Sequence, residues 1–276
     1  MRFFCIDGRT RPVQWGLAIG TSIGALGCGH ASNAASSAPA NEVPASVSIG
    51  QSTVVMGVSI GTRRTGRSVG AFRISKYPVT VAQYRECTAA GGCSPPQDGA
   101  CASPVANALS SPTFGLAGAD AVPVTCTGIK GAQAYCAWTG GSLPTQGQWE
   151  LAARGPQVTR FPWGNAPGTC AESVQALGPA GCPRTGPPVQ AFAVGHHPSG
   201  ASPLGVEDVL LAPGELIASG TDNDTAACSA PNSACVAYGL SPNAIDALAP
   251  IRSSEGEESS THPYGFRCVW QGGGAK

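Results

Sequence analysis

The chain has 276 residues, room for one large domain or two small ones, and its 42% hydrophobic content is enough to build a core. Lys+Arg and Asp+Glu both number 16, so the charge balance gives no support for binding nucleic acid or an anionic membrane surface. Charged residues make up only 12%, and 38 glycines with 24 prolines imply irregular, turn-rich backbone in place of long helices or a deep sheet.

The chain opens like a targeting segment. Arg2, Arg9 and Arg11 precede an apolar run over residues 15–26, too short to span a bilayer and the size of a signal-peptide core. The run closes on Ala25-Leu26-Gly27-Cys28, similar to a lipoprotein cleavage box. Residues 1–28 are therefore expected to be a leader, with Cys28 lipidated and the product exported to a bacterial periplasm or cell surface, anchored in the membrane through that lipid. Residues 29–49, rich in Ala, Ser, Asn and Pro, read as a flexible tether ahead of a domain over 50–272 and a tail over 273–276.

Within the domain, residues 53–58 and 71–74 carry β-branched or alternating patterns and predict strands. Thr80 can cap a helix over 81–88 whose apolar stripe comes from Val81, Tyr84 and the stem of Arg85. Residues 89–122 read as loop. The stretch AYCAWTGGSLPTQGQWELAARG (residues 134–155) then predicts two helices, 130–139 and 146–154, meeting at a tight break. Gly140 and Gly141 end the first, since glycine tolerates the left-handed backbone of a helix terminus. Pro144 blocks continuation, and Thr145 with Gln148 forms a capping-box pattern that starts the second. Trp149, Ala152 and Ala153 give that helix one narrow apolar face. Residues 155–191 are turns, 206–211 a short apolar strand candidate, and 264–269 the closing strand.

Setting aside Cys5 and Cys28, ten of the 12 cysteines fall in the domain, an even number that an exported, loop-rich chain uses as a disulfide framework. Close spacing across Gly, Pro and Ser suggests the local loops Cys87–Cys93, Cys170–Cys182 and Cys228–Cys235. No C-x-x-C pair occurs, so a cysteine metal site is a poor alternative.

LPTQGQWELAARG (residues 143–155) followed by FPWGN (161–165) resembles the signature of the formylglycine-generating, sulfatase-modifying enzyme family. FRISKYPVTVAQY (72–84), PVTC (123–126), VGHHPSGASPLGVEDV (194–209) and GFRC (265–268) follow the order that family requires. The resemblance implies an α+β fold, the irregular, loop-rich, disulfide-stapled formylglycine-generating-enzyme-like variant of the C-type-lectin-like fold. It also implies a long-range bridge Cys136–Cys268, which leaves Cys101 and Cys126 as a fifth pair. Trp138, Trp149, Glu150, Arg154, Trp163, Arg252 and Arg267 match positions expected to be structural, with a buried pair between Glu150 and either Arg154 or Arg267.

The chemistry departs from the resemblance. Active members are similar in carrying two cysteines, separated by four intervening residues, that bind copper(I) and oxidise a substrate cysteine. The matching region here, YGLSPNAIDALA (238–249), contains no cysteine. Copper(I) needs soft thiolate donors, so only Cys228 and Cys235 could act as an alternative catalytic pair. A related branch holds iron(II) on three histidines; His196 and His197 are adjacent and cannot easily both turn inward, and His30 and His262 lie far off in sequence. The family's calcium-binding run is replaced around Glu215, the one acidic residue kept in register, with Asp222 and Asp224 offering further oxygens. The sequence thus predicts a domain without catalysis or required cofactor, calcium being possible and copper needed only if Cys228 and Cys235 are active. Its expected role is to bind a peptide, glycan or protein partner as a monomer, with Trp163, Tyr238 and the loops of His196 and His262 as contacts. The competing readings are an oxidase that makes formylglycine and a purely structural surface lipoprotein.

Overall fold

Phe72–Ser75 (β4) lies at the centre of a three-stranded sheet that joins the two ends of the domain. Ser46–Ile49 (β1) pairs with it antiparallel on one edge, Val47 opposite Ile74, and Val269–Gln271 (β9) pairs antiparallel on the other, Val269 again opposite Ile74. These contacts come from a computed structural model, which describes residues 44–56, 65–96, 101, 112–157, 159, 161–172, 192–210, 214–218, 236–238, 250–252 and 263–272. All of them belong to the unit Ala40–Lys276, one of two into which the chain divides. The tether expected over 29–49 is corrected at its end, because residues 46–49 are strand. The short alternation of Ser46–Ile49 is ambiguous by itself and becomes a strand through its pairing with β4.

Ser52–Met56 (β2) and Thr65–Val69 (β3) form an antiparallel ribbon. Val81–Ala89 (α1) starts where Thr80 Oγ1 accepts the Gln83 N–H and Gln83 Oε1 accepts the Thr80 N–H, a complete capping box. Gly128–Trp138 (α2) begins two residues ahead of the expected start at Lys130, from Gly128 at φ 64, and its Thr127 makes no side-chain cap. Gly140 at φ 76 ends the helix region, and Gly141 then approaches so closely that an added Cβ would meet the Val269 carbonyl and the Trp270 ring. Gln146–Arg154 (α3) opens on the Thr145–Gln148 capping box.

Trp149, Ala152 and Ala153 pack into the core as the expected apolar face of α3, and the remaining residues of the helix are buried as well. The polar residues Gln146, Glu150 and Arg154 recur at four-residue spacing and pair with one another, although Arg154 Nε finds no partner among the described residues. Gln146 Nε2 donates to Glu150 Oε1 at 2.9 Å, and Arg154 is ion-paired with Glu150 Oε2. A polar stripe can be buried when its groups pair internally.

Glu215–Leu216 (β5), Val236–Tyr238 (β6), Pro250–Arg252 (β7) and Gly265–Phe266 (β8) form a small mixed sheet in the order β7-β6-β5-β8, with β5 and β8 parallel. The closing strand expected over 264–269 is therefore split. β8 belongs to this sheet and β9 to the first, and the chain changes sheets at Arg267 and Cys268. The strand expected at 206–211 is not formed over its described residues. Asp208 adopts φ 56, which breaks an extended run, while Val206, Val209 and Leu210 still point into the core.

Two apolar clusters result. One packs Tyr84, Tyr135, Phe192 and Phe266 beneath α1 and α2, with the Tyr84 and Tyr135 rings stacked at 5.9 Å. The other packs Phe72, Ile74, Trp149, Leu151, Val206 and Ile217 between α3 and the strands. Disulfides Cys87–Cys93, Cys101–Cys126 and Cys136–Cys268 join the loops to this frame. Cys170 is also disulfide-bonded; Cys182, Cys228 and Cys235 lie outside the described residues.

Candidate functional site

Two polar constructions stand out, and they do different work. The first is built on Arg267, at the turn between β8 and β9 and 1% exposed. Its Nε donates to Glu215 Oε2 and its Nη2 to Glu215 Oε1, each at 2.6 Å. Trp149 Nε1 donates to the same Oε2 at 2.6 Å. The remaining guanidinium hydrogens reach the carbonyls of Ser75, Lys76 and Glu207 at 3.2 Å. One arginine thus ties β4, β5, α3 and the 206–210 segment together through a bidentate pair.

This geometry corrects the metal role considered for Glu215. Both its oxygens already accept charge-assisted or indole hydrogen bonds, and the guanidinium beside them would repel a cation. Of the two partners left open for Glu150, Arg154 on α3 is the one that pairs with it, and Arg267 pairs with Glu215. Trp149, Glu150, Arg154 and Arg267 are all buried, and Trp138 is half-buried against the cluster beneath α1 and α2.

The second construction is a narrow surface cleft lined by Trp163, Glu172, His197, Gly200, Asp208, Val209 and Leu210. A tight turn closed by the Phe161–Gly164 bridge presents Trp163, whose ring stacks on Phe161 at 5.0 Å and whose Nε1 donates to the Ala166 carbonyl at 3.2 Å. Glu172 is held by the Thr169 N–H and hydroxyl, each 2.7 Å from Oε2, and these bonds keep its carboxyl below the usual carboxylate range. A one-turn helix, Pro198–Gly200, forms the far wall, and an added Cβ at Gly200 would run into the Glu172 carbonyl oxygen.

Asp208 forms the floor. Its Oδ2 accepts the Gly195 N–H at 2.6 Å, while Oδ1 is buried with no hydrogen-bond partner among the described residues. Burial pushes this carboxyl up from its ordinary value and Glu207 pushes it the same way, opposed by the Gly195 N–H, Arg267 and His197. Glu207 itself pairs with Lys76 at 2.9 Å, and that bond raises the lysine's affinity for its proton.

Of the contacts expected from sequence, Trp163 lies in this cleft and His197 joins it, whereas His196 is exposed. Tyr238 in β6 pairs with Glu215 through the backbone, and Arg252 in β7 stands opposite Val236. Cys28, Asp222, Asp224, Cys228, Cys235 and His262 lie outside the described residues. Among the described residues, no three His, Cys, Asp or Glu side chains converge as a metal site. Sequence reading missed Asp208 and Glu172. An acidic residue inside a short apolar run was the available signal for Asp208, and the strand assignment hid it.

The fold and its stapled loops define a disulfide-rich α+β module of small sheets and few helices. Residues 31–272 match the sulfatase-modifying factor enzyme 1-like domain, and the chain belongs to that family. Hercynine oxygenase of Mycolicibacterium thermoresistibile is 32% identical over 161 residues, 51% of this chain and 34% of the relative. The Mycolicibacterium smegmatis hercynine oxygenase is 34% identical over 163 residues, 51% and 36% of the two chains. This chain therefore spans about a third of the length of those curated relatives. The inactive C-alpha-formylglycine-generating enzyme 2 of Bos taurus is 50% identical over 44 residues, 16% of this chain and 15% of that one. The crystal structure of CarF superposes with a TM-score of 0.54 at 16% identity, covering 82% of this chain and 98% of its own, a likeness of fold.

Proposed function

We propose that this chain is a non-catalytic binding member of the sulfatase-modifying factor family, a C-type-lectin-like scaffold that presents loops to a peptide, glycan or protein partner. It is exported as a monomer and held at the membrane by a lipid on Cys28. The observation that carries this reading is the state of the thiols. All seven described cysteines are in disulfides, and residues 238–249, where the resemblance places the copper pair, contain none. A disulfide sulfur is not the thiolate that copper(I) requires. The donor set of the described residues therefore does not fit copper, and Glu215 does not fit calcium.

A second reading has support of its own. The formylglycine-generating enzyme of Thermomonospora curvata is 48% identical over 44 residues, 16% of this chain and 14% of the relative, and two longer matches are to hercynine oxygenases. In that reading Cys228 and Cys235 bind copper(I) and the chain oxidises a substrate cysteine. Oxygen consumption by the full chain, loaded with copper(I) and given a cysteine-containing peptide, separates the two. The binding reading expects no consumption above a Cys228→Ser, Cys235→Ser control. Turnover that the control abolishes contradicts it.

A further inference from the structure

We propose that the free edge formed by β1 and β2 binds an extended acidic segment of a partner protein as an added β-strand. This rests on the binding reading above and names the surface, the backbone geometry and the charge that it recognises.

The edge is longer than its separate strands suggest. Ile49 stands opposite Phe72 and Ser52 opposite Val69 in one unbroken register, so residues 46–56 run against 65–75 without a bulge. β1 and β2 are edge strands of their sheets, and among the described residues nothing hydrogen-bonds to their outer side. The ladder fixes where the unused groups point. The Lys76 N–H donates to the Ala45 carbonyl at 2.7 Å, whereas the Ser75 N–H turns away from β1 to the Cys268 carbonyl at 2.9 Å. Ser46, opposite Ser75, therefore sits in a non-hydrogen-bonded pair, and by alternation so does Ser48, opposite Arg73. The backbone N–H and C=O of Ser46 and Ser48 point outward from the sheet, and both residues are exposed. An edge left bare is ordinarily guarded by a charge, a proline, a bulge or covering chain. Residues 46–56 contain no charged residue and no proline.

Charge selects the occupant. The facing strands over 65–75 carry Arg67 and Arg73, and neither side of the ribbon has an acidic residue. A second copy paired edge to edge would bring like charges together, whereas an acidic strand is complementary. Arg73 lies on the face opposite the buried Ile74, its guanidinium over the Trp270 ring at 5.7 Å, and no carboxylate meets it among the described residues. Ser48, beside it in the register, is too small to block the way outward. A strand added beyond β1 lies two strand spacings, about 10 Å, from β4. A glutamate on that strand and Arg73 extended toward it close this gap across Ser48, replacing one cation–π contact with an ion pair.

The test uses the full chain and a fluorescein-labelled peptide, acetyl-Thr-Val-Thr-Glu-Val-Thr-Val-amide, followed by fluorescence anisotropy. One counterpart has lysine in place of glutamate, and another has every backbone nitrogen methylated so that it cannot donate to a ladder. Saturable binding of the glutamate peptide is expected, weaker by about tenfold for the lysine peptide and abolished by methylation. Ser48→Pro removes an outward N–H while Val47 and Ile49 keep their bonds to β4, and should weaken binding about tenfold. Arg73→Gln should erase the preference for glutamate over lysine. The methylated peptide needs no protein variant and decides the matter if Ser48→Pro fails to fold. Equal binding of the methylated and unmethylated peptides, no preference between glutamate and lysine, or no binding of any peptide would overturn the proposal. So would a dimer in sedimentation that Ser48→Pro dissociates, which would give the edge to a second copy. Oxidase turnover on a cysteine peptide is a separate readout, so a negative titration here leaves the binding reading in place.

Discussion

The contact between Arg267 and Glu215 shows how one side chain can decide what a position does. Both are 1% exposed, so neither charge is relieved by water, and each depends on the other together with Trp149 and three backbone carbonyls. Glu215→Gln keeps the shape and removes the charge, leaving a buried guanidinium uncompensated. We expect a loss of about 3–5 kcal/mol, read as a lower urea midpoint at unchanged slope; a loss below about 1 kcal/mol would show that the pair is not the linchpin. Asp208 predicts a pH effect of opposite character. Burial, reinforced by Glu207, raises its folded carboxyl above the ordinary 3.8, against the Gly195 N–H, Arg267 and His197. The native state therefore holds this proton more tightly than the unfolded chain, and stability falls as pH rises through the folded value. Asp208→Asn removes that titration, so denaturation midpoints should move in the variant's favour as pH climbs from 3.8 toward neutrality. Sequence made Glu150, Arg154 and Arg267 legible as a structural set. It could not show that Arg267 would choose Glu215, 52 residues away, because only the parallel pairing of β5 and β8 brings them together.

At the scale of elements, local signals succeeded where the chain's own neighbours decide the outcome. Thr80 with Gln83 and Thr145 with Gln148 both form complete boxes, and the glycine break between α2 and α3 falls where the positive φ of Gly140 is needed. Thr145→Ala should cost about 1 kcal/mol in chemical denaturation, whereas Thr127→Ala at the start of α2 should cost far less, since Thr127 makes no side-chain cap. Equal losses would mean that the Thr145 cap adds nothing. Local signals failed where tertiary pairing decides. β1 reads as the end of a polar linker until β4 pairs with it, and the run from Val206 reads as strand until Asp208 turns it. Burial of all of α3 was likewise invisible, because its polar stripe looks solvent-facing until the Gln146–Glu150–Arg154 network closes.

For the whole molecule, the six motifs in order were enough to place the family, and the match over residues 31–272 agrees. The bridge Cys136–Cys268 closes a span of 132 residues and ties α2 to the end of the domain, the kind of long-range constraint that periodicity cannot reveal. What the chain does with this frame turns on its sulfur atoms. The most direct measurement is the thiol count of the purified full chain by mass shift on alkylation, unreduced and after mild reduction, with each modified site mapped. A binding scaffold predicts no alkylation at any cysteine of residues 50–272 in the unreduced chain, and no copper(I)-dependent protection after mild reduction. Two reactive thiols at Cys228 and Cys235, shielded by copper(I) in either state, would contradict the account and make the chain an oxidase.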